Sequence, residues 1–173
     1  MSAPAAVCLI GAGSSGIAAA KALHERGIPF DCFEKSDRVG GNWVFENRNG
    51  MSAAYRDLFI NTSRPRMQYS DFPMPESYPD FPHHTQIAAY FDEYVDHFGL
   101  REQITFNTGV RHAARAEDGT WTVELEDGEL RSYEALLVAN GRSATVSVID
   151  TAQLKSVAEV PVGKLPWGVF VGR

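Results

Sequence analysis

The chain has 173 residues, 44% of them hydrophobic and 22% charged, with a formal net charge of -6. That length supports one ordinary domain with a sizeable core, and the acidic balance argues against a nucleic-acid partner, because phosphate binding needs a basic face. No window approaches ~18 uninterrupted apolar residues, and the opening MSAPAAVCLIGAG lacks a basic n-region, so neither a membrane span nor a signal peptide is expected and the cytoplasm is the expected compartment.

Residues 5–10 form a short apolar run bounded by Gly11, suited to a strand buried on both faces. Gly11-Ala12-Gly13-Ser14-Ser15-Gly16 follows directly, and residues 17–26 read as an alanine-rich helix stopped by Gly27. Residues 29–33 read as a second apolar strand, ending in Glu34. Strand, glycine turn, helix, strand and acid, in this order, make a dinucleotide-binding pattern. Gly11 permits the tight turn, Gly13 lets backbone approach a pyrophosphate, and Gly16 lets the helix pack closely. Ser14, Ser15 and Gly16 lead into the helix N-terminus, where unpaired N–H groups and the positive dipole end favour phosphate. Glu34, 18 residues after Gly16, is placed to bind ribose hydroxyls. An acid there favours FAD or NAD over NADP at this site.

The two cysteines, Cys8 and Cys32, each sit in an apolar strand and read as small hydrophobes rather than a disulfide or metal ligands.

Residues 47–85 show no sustained period and hold five prolines. A long irregular segment inside a domain is functional or disordered. Tyr55, Phe59, Tyr69, Phe72, Tyr78 and Phe81 favour order, since each can contribute buried area. Asn61 on its own reads as a turn residue bonding its own backbone. His83-His84 stands without zinc-like partners and reads as loop and cap, with Thr85 as the N-cap of a helix over 86–98. In that helix Ile87, Tyr90, Phe91, Tyr94, Val95 and Phe98 make a core stripe, and Asp92, Glu93 and Asp96 a solvated face. Residues 104–110 read as a strand. Residues 121–126 and 129–131 flank Asp127-Gly128 as a hairpin. Residues 133–138 read as a further buried strand, running into Ala139-Asn140-Gly141.

Several of these segments together resemble the flavin-containing monooxygenases. Lys35 through Gly40, Gly41, Asn42 and Trp43 is similar to the E-(K/R)-x-x-x-x-G-G-x-W segment of two-dinucleotide flavoproteins. The stretches YRDLFINTS (55–63), YSDFPMP (69–75) and YPDFPH (78–83) are similar in order and spacing to that family's motifs, as is the Ala139-Asn140-Gly141 turn. The resemblance covers about residues 5–142. It implies an α/β, Rossmann-like FAD-binding domain, incomplete here, and NADPH- and O2-dependent oxygenation of a small nucleophile at nitrogen or sulfur. It implies that the paired glycines pass close to FAD, that Asn61 is the active-site amide, that Thr62 and Ser63 lie beside it, and that the backbone near Val110 meets adenine.

After Gly141 the resemblance stops. Residues 143–173 resemble one repeat of the YVTN-type β-propeller family, through VSVIDTA, VAEVPVG and PWGVFV, with three short strands at 146–150, 157–162 and 169–171. The alternative is that these strands belong to the flavoprotein sheet. The expected division is therefore 1–142, a partial FAD-binding domain, and 143–173, a short all-β tail, as a natural fusion, an assembly artefact or a chimera would produce. With one GxGxxG in the chain, the expectation is that it does not turn over NADPH by itself. The rival reading is a non-catalytic FAD- or ADP-binding module. An NAD dehydrogenase is disfavoured by Gly40-Gly41-Asn42-Trp43.

Overall fold

The computed structural model describes residues 6–139 together with two strands at 145–150 and 155–161. Four parallel strands form the central sheet: β1 (Val7–Ile10), β2 (Phe30–Phe33), β3 (Ile104–Thr105) and β7 (Ala135–Val138), in the order β3-β2-β1-β7. Parallel neighbours need a crossover, and α1 (Ser14–Glu25) supplies it between β1 and β2. A short helix, α2 (Arg64–Met67), and the longer α3 (His84–His97) follow in the middle of the chain.

Alternation along the strands divides the core in two. Val7, Leu9, Phe30 and Cys32 belong to one buried cluster with Ile17 and Ala20 of α1 and with Ile87, Tyr90, Phe91, Tyr94 and Val95 of α3. Cys8 and Phe33 belong to a second, with Val123, Leu125 and Tyr133. These last three come from an antiparallel meander, β4 (Val110–Arg115), β5 (Trp121–Leu125) and β6 (Leu130–Tyr133), paired in that order. Helices cover one face of the sheet and the meander covers the other. The predicted helices, the Asp127-Gly128 turn and the α3 stripe are all present, and Gly128 takes φ 91° as that turn requires.

The cysteines are free and buried. Cys8 lies opposite Asp31 and Cys32 opposite Leu9, so the two thiols point to opposite faces. Burial pushes both thiols up to about 12, with the carboxylates of Asp31 and Glu34 adding to the effect at Cys8 and Cys32 respectively.

The structure corrects several expectations. The strand at 104–110 is two short strands, because Asn107 turns the chain at φ 54° and β3 ends at Thr105. The strand at 133–138 is also divided: Tyr133 ends β6, and β7 is a half-exposed edge strand with Val138 43% exposed. Tyr69, Phe72 and Tyr78 pack on the core, but Tyr55, Phe59 and Phe81 are 60%, 55% and 52% exposed. The N-cap of α3 is His83, not Thr85.

In the tail, β8 (Thr145–Asp150) and β9 (Lys155–Pro161) pair antiparallel as a two-stranded sheet of their own, apart from the parallel sheet. The third expected strand, at 169–171, lies outside the described residues. Among the described residues no helix is long and apolar enough to cross a membrane.

Candidate functional site

The glycine turn follows β1 directly. Gly11 takes φ 94° and its N–H donates to Phe33 O at 2.8 Å, which ties the turn to the end of β2. Gly13 precedes α1, and no side chain caps that helix end. Gly16 has no room for a side chain: a Cβ there would lie 1.9 Å from Gly11 O and 3.5 Å from the Ala139 methyl. Ala139 itself donates its N–H to Ile10 O at 2.9 Å. Ser14 and Ser15 occupy the first turn, both partly exposed.

The second glycine pair packs on the first. Gly40 N–H donates to Ala12 O at 3.0 Å. Gly40 and Gly41 have φ 116° and 54°, and a Cβ on Gly41 would lie 3.2 Å from Gly13 Cα. Two glycine turns from distant segments therefore meet backbone to backbone, leaving a shallow surface of peptide groups in front of α1. Asn42 and Trp43 complete a 3-10 turn over Gly41–Trp43, with Trp43 packed on the core and Asn42 O accepting from Ser52 Oγ at 3.0 Å.

Glu34 lies buried beneath this surface. Its Oε2 accepts from Ala12 N–H at 2.7 Å and its Oε1 from Ser36 N–H at 2.8 Å. A carboxylate has roughly four acceptor positions, so the pair of backbone donors orients the group and leaves acceptor capacity. Lys35 follows, half-exposed, with its ammonium 2.6 Å from Glu126 Oε1. The turn before β4 closes over the same strand end: Asn107 N–H donates to Ser36 O and Thr108 N–H to Glu34 O, both at 2.9 Å. This turn delivers Val110, the first residue of β4, beside the Glu34 segment.

Asn61 and Thr62 lie in the loop that leads into α2. Asn61 is exposed and its amide makes no hydrogen bond among the described residues, so it does not close its own turn. Its position is set by its neighbour: Ile60 is buried, and its N–H donates to Pro82 O at 3.0 Å. Thr62 is half-buried, and Ser63 precedes α2 as its N-cap without a side-chain bond. Asn140 and Gly141 lie outside the described residues.

His83 and His84 both hold the Arg56 carbonyl, at 2.8 and 3.1 Å from their Nε2 atoms. His83 Nδ1 accepts from Thr85 N–H at 3.4 Å, and Gln86 Oε1 accepts from His83 N–H at 3.0 Å. The histidine pair thus caps α3 and fastens the 55–60 loop.

Sequence reading missed Tyr69 and Asp71 as positioning groups. Tyr69 donates its hydroxyl to Ser14 O, at the start of α1, at 2.6 Å. Burial pushes its phenol well above the ordinary value, so it stays a donor. Asp71 pairs with Lys21 of α1 at 2.6 Å, which also holds Glu25 at 2.6 Å. The signal was present in YSDFP as a motif, but nothing in its spacing shows that it grips α1.

Comparison with known proteins agrees with this geometry. A family model described as FMO-like, flavin-binding monooxygenase-like, matches residues 5–151. The chain is 38% identical over 144 residues to flavin-containing monooxygenase 5 of Oryctolagus cuniculus, covering 78% of this chain and 27% of that protein. It is 37% identical over 145 residues to the N-oxide-forming dimethylaniline monooxygenase 4 of Rattus norvegicus, covering 79% and 26%. Among solved structures, S-allyl-L-cysteine S-oxygenase from Allium sativum aligns with TM-score 0.72 and 25% identity, over 79% of this chain and 36% of that one. An oxidized steroid monooxygenase bound to NADP aligns with TM-score 0.70 and 26% identity, over 84% and 27%. The chain thus spans about a quarter of the length of the curated relatives it matches. The matched region passes the expected boundary at 142 and takes in β8. With the fold, the two glycine turns and the family match in agreement, the chain belongs to the flavin-binding monooxygenase-like family.

Proposed function

We propose that this chain is the FAD-binding part of a monooxygenase that oxygenates a small nucleophile at nitrogen or sulfur, using NADPH and O2. The single observation that carries the reading is the docking of Gly40-Gly41 against Gly13 above a buried, backbone-oriented Glu34. That arrangement fits FAD: a side chain at either glycine would fill the surface where a pyrophosphate needs bare peptide N–H groups. The α1 end with Ser14, Ser15 and Gly16 would hold the phosphates, and Glu34 the adenosine ribose. Lys35, the turn before Val110 and Ala139 would border the adenosine half, and Asn140 and Gly141 keep their expectation as cofactor-binding residues. Gly41, Asn42 and Trp43 would border the rest of the dinucleotide.

Bound flavin supplies the redox chemistry of oxygen activation, which no side chain can supply. The protein's task is to bind, to orient and to exclude water. Asn61 is the proposed active-site amide, since its exposed carboxamide has two donors and an acceptor free for a ligand, with Thr62 beside it. The oxygenation of nitrogen or sulfur is supported by relatives named as N-oxide-forming and S-oxygenase enzymes.

The tail keeps its reading as one propeller-type repeat, supported by its VAEVPVG and PWGVFV strings, beyond the matched residues, and by the antiparallel pairing of β8 with β9. The division at 142, and cytoplasmic residence, belong to the same proposal.

Titration of FAD with the purified 173-residue chain, read by quenching of flavin fluorescence, tests the reading. Saturable binding is expected. So is the absence of NADPH oxidation by the complex, because one GxGxxG serves one dinucleotide. NADPH consumption would contradict the flavin-part reading, and absence of flavin binding would contradict the whole of it.

A further inference from the structure

Two residues at the end of β2 carry opposed preferences. Glu34 presents a carboxylate, which suits a free ribose 2′-hydroxyl, whereas a cation nearby accommodates a 2′-phosphate. Lys35 is such a cation, directly next in the chain.

In the structure Lys35 is already paired. Lys35 Nζ lies 2.6 Å from Glu126 Oε1, an ion pair across 91 residues of chain. Glu126 is held in place by its own backbone, whose N–H donates to Gly109 O at 2.8 Å. Its carboxylate lies against Gly109, where a Cβ would come within 2.4 to 2.6 Å of the carboxyl atoms. Gly109 is buried and sits between Thr108, which bonds Glu34 O, and Val110. The bare glycine therefore makes the room in which Glu126 reaches Lys35. Arg111, the other cation on this turn, is also engaged, with Nη1 2.9 Å from Glu124 Oε1.

We infer that Glu126 is a specificity residue: by neutralising Lys35 it makes the Glu34 site reject an adenosine whose ribose carries a 2′-phosphate. A clasp between meander and sheet needs the same ion pair but has no bearing on which nucleotide binds. The inference rests on the nucleotide reading above, and the choice of two ligands separates the fates of the two.

The experiment is calorimetric titration of the full 173-residue chain with 5′-ADP and with adenosine 2′,5′-bisphosphate. It compares the native protein, Glu126→Gln, and the double variant Lys35→Met with Glu126→Gln. The native protein should prefer 5′-ADP. In Glu126→Gln the preference should narrow by about tenfold or more, because a charge-assisted bond from Lys35 to phosphate becomes available, and the gain should fade in high salt. The double variant should return to the native preference. Gly109→Ala reaches the same state by pushing the carboxylate off Lys35, and carries the same expectation if Glu126→Gln folds poorly. An unchanged preference in both variants, with 5′-ADP still bound, overturns the inference and leaves the nucleotide site standing. Failure of the native protein to bind either ligand overturns the nucleotide reading, and the inference with it.

Discussion

Gly13 and Gly16 stand three residues apart and do different work. At Gly16 a Cβ would overlap Gly11 O at 1.9 Å, and both partners are backbone. Gly16→Ala is therefore a folding defect, expected to cost about 3 kcal/mol or more because no flexible side chain can yield. At Gly13 the nearest atom to a Cβ is Gly41 Cα at 3.8 Å, and the backbone is extended at φ -73°. Gly13→Ala should fold nearly as the native chain does yet weaken FAD binding, since its methyl takes room beside the phosphate surface. Thermal melts paired with flavin titrations separate the two. Glu34 combines both roles. Glu34→Ala leaves the Ala12 and Ser36 N–H groups without their acceptor, a loss of about 1–3 kcal/mol for buried donors, and should weaken flavin binding as well. The roles of Gly11, Gly13 and Glu34 were legible because each is a local requirement, set by a turn, an approach or a strand end. The route of Glu34's carboxylate to Ala12 N–H was not, because it depends on how two turns pack.

The elements in the middle of the chain are fastened by side chains rather than by period. Tyr69 N–H donates to the Tyr90 hydroxyl at 2.8 Å, and that hydroxyl in turn donates to Phe72 O. Tyr90→Phe should cost about 1–3 kcal/mol in a urea melt, since it strands a partly buried N–H and a carbonyl together. Tyr69→Phe frees Ser14 O and should weaken FAD binding more than it lowers stability, because its hydroxyl grips the start of α1. The Lys21 partner holds the Asp71 carboxyl below its ordinary value. A lowered carboxylate stabilises the fold above its unfolded pKa of about 4 and loses that contribution as the pH falls through the lowered value. Asp71→Asn should therefore be less stable than the native chain at neutral pH, and the difference should vanish in strong acid. Urea melts across that range check it. The period-3.6 stripe of α3 was plain in the sequence. Its cap was not: Thr85 is the commoner capping type, but the His83 ring reaches both Thr85 N–H and Arg56 O. Asn107 likewise hides its positive φ inside a run that otherwise alternates like a strand.

At the scale of the molecule, one sheet organises everything described here up to Ala139. Helices and the middle segment lie on one face, the meander on the other, and the glycine turns meet at the ends of β1 and β2. The parallel βαβ start could be read from residues 5–34, since apolar runs and glycine spacing are contiguous there. The place of β7 beside β1, and of β3 beside β2, could not, because parallel pairing joins segments over a hundred or seventy residues apart with no turn to mark them. Two buried thiols on opposite faces of this sheet give a check on its integrity. Neither Cys8 nor Cys32 should react with a thiol reagent in the native chain, and both should react once it is denatured. The central claim is that the two glycine turns and Glu34 form one flavin site. Amide hydrogen exchange with and without FAD tests it most directly. Slower exchange across residues 11–16 and 34–43, with the meander tip at 116–120 unchanged, is the result the account predicts. Protection confined to other segments, or none at the glycine turns under saturating FAD, would contradict it.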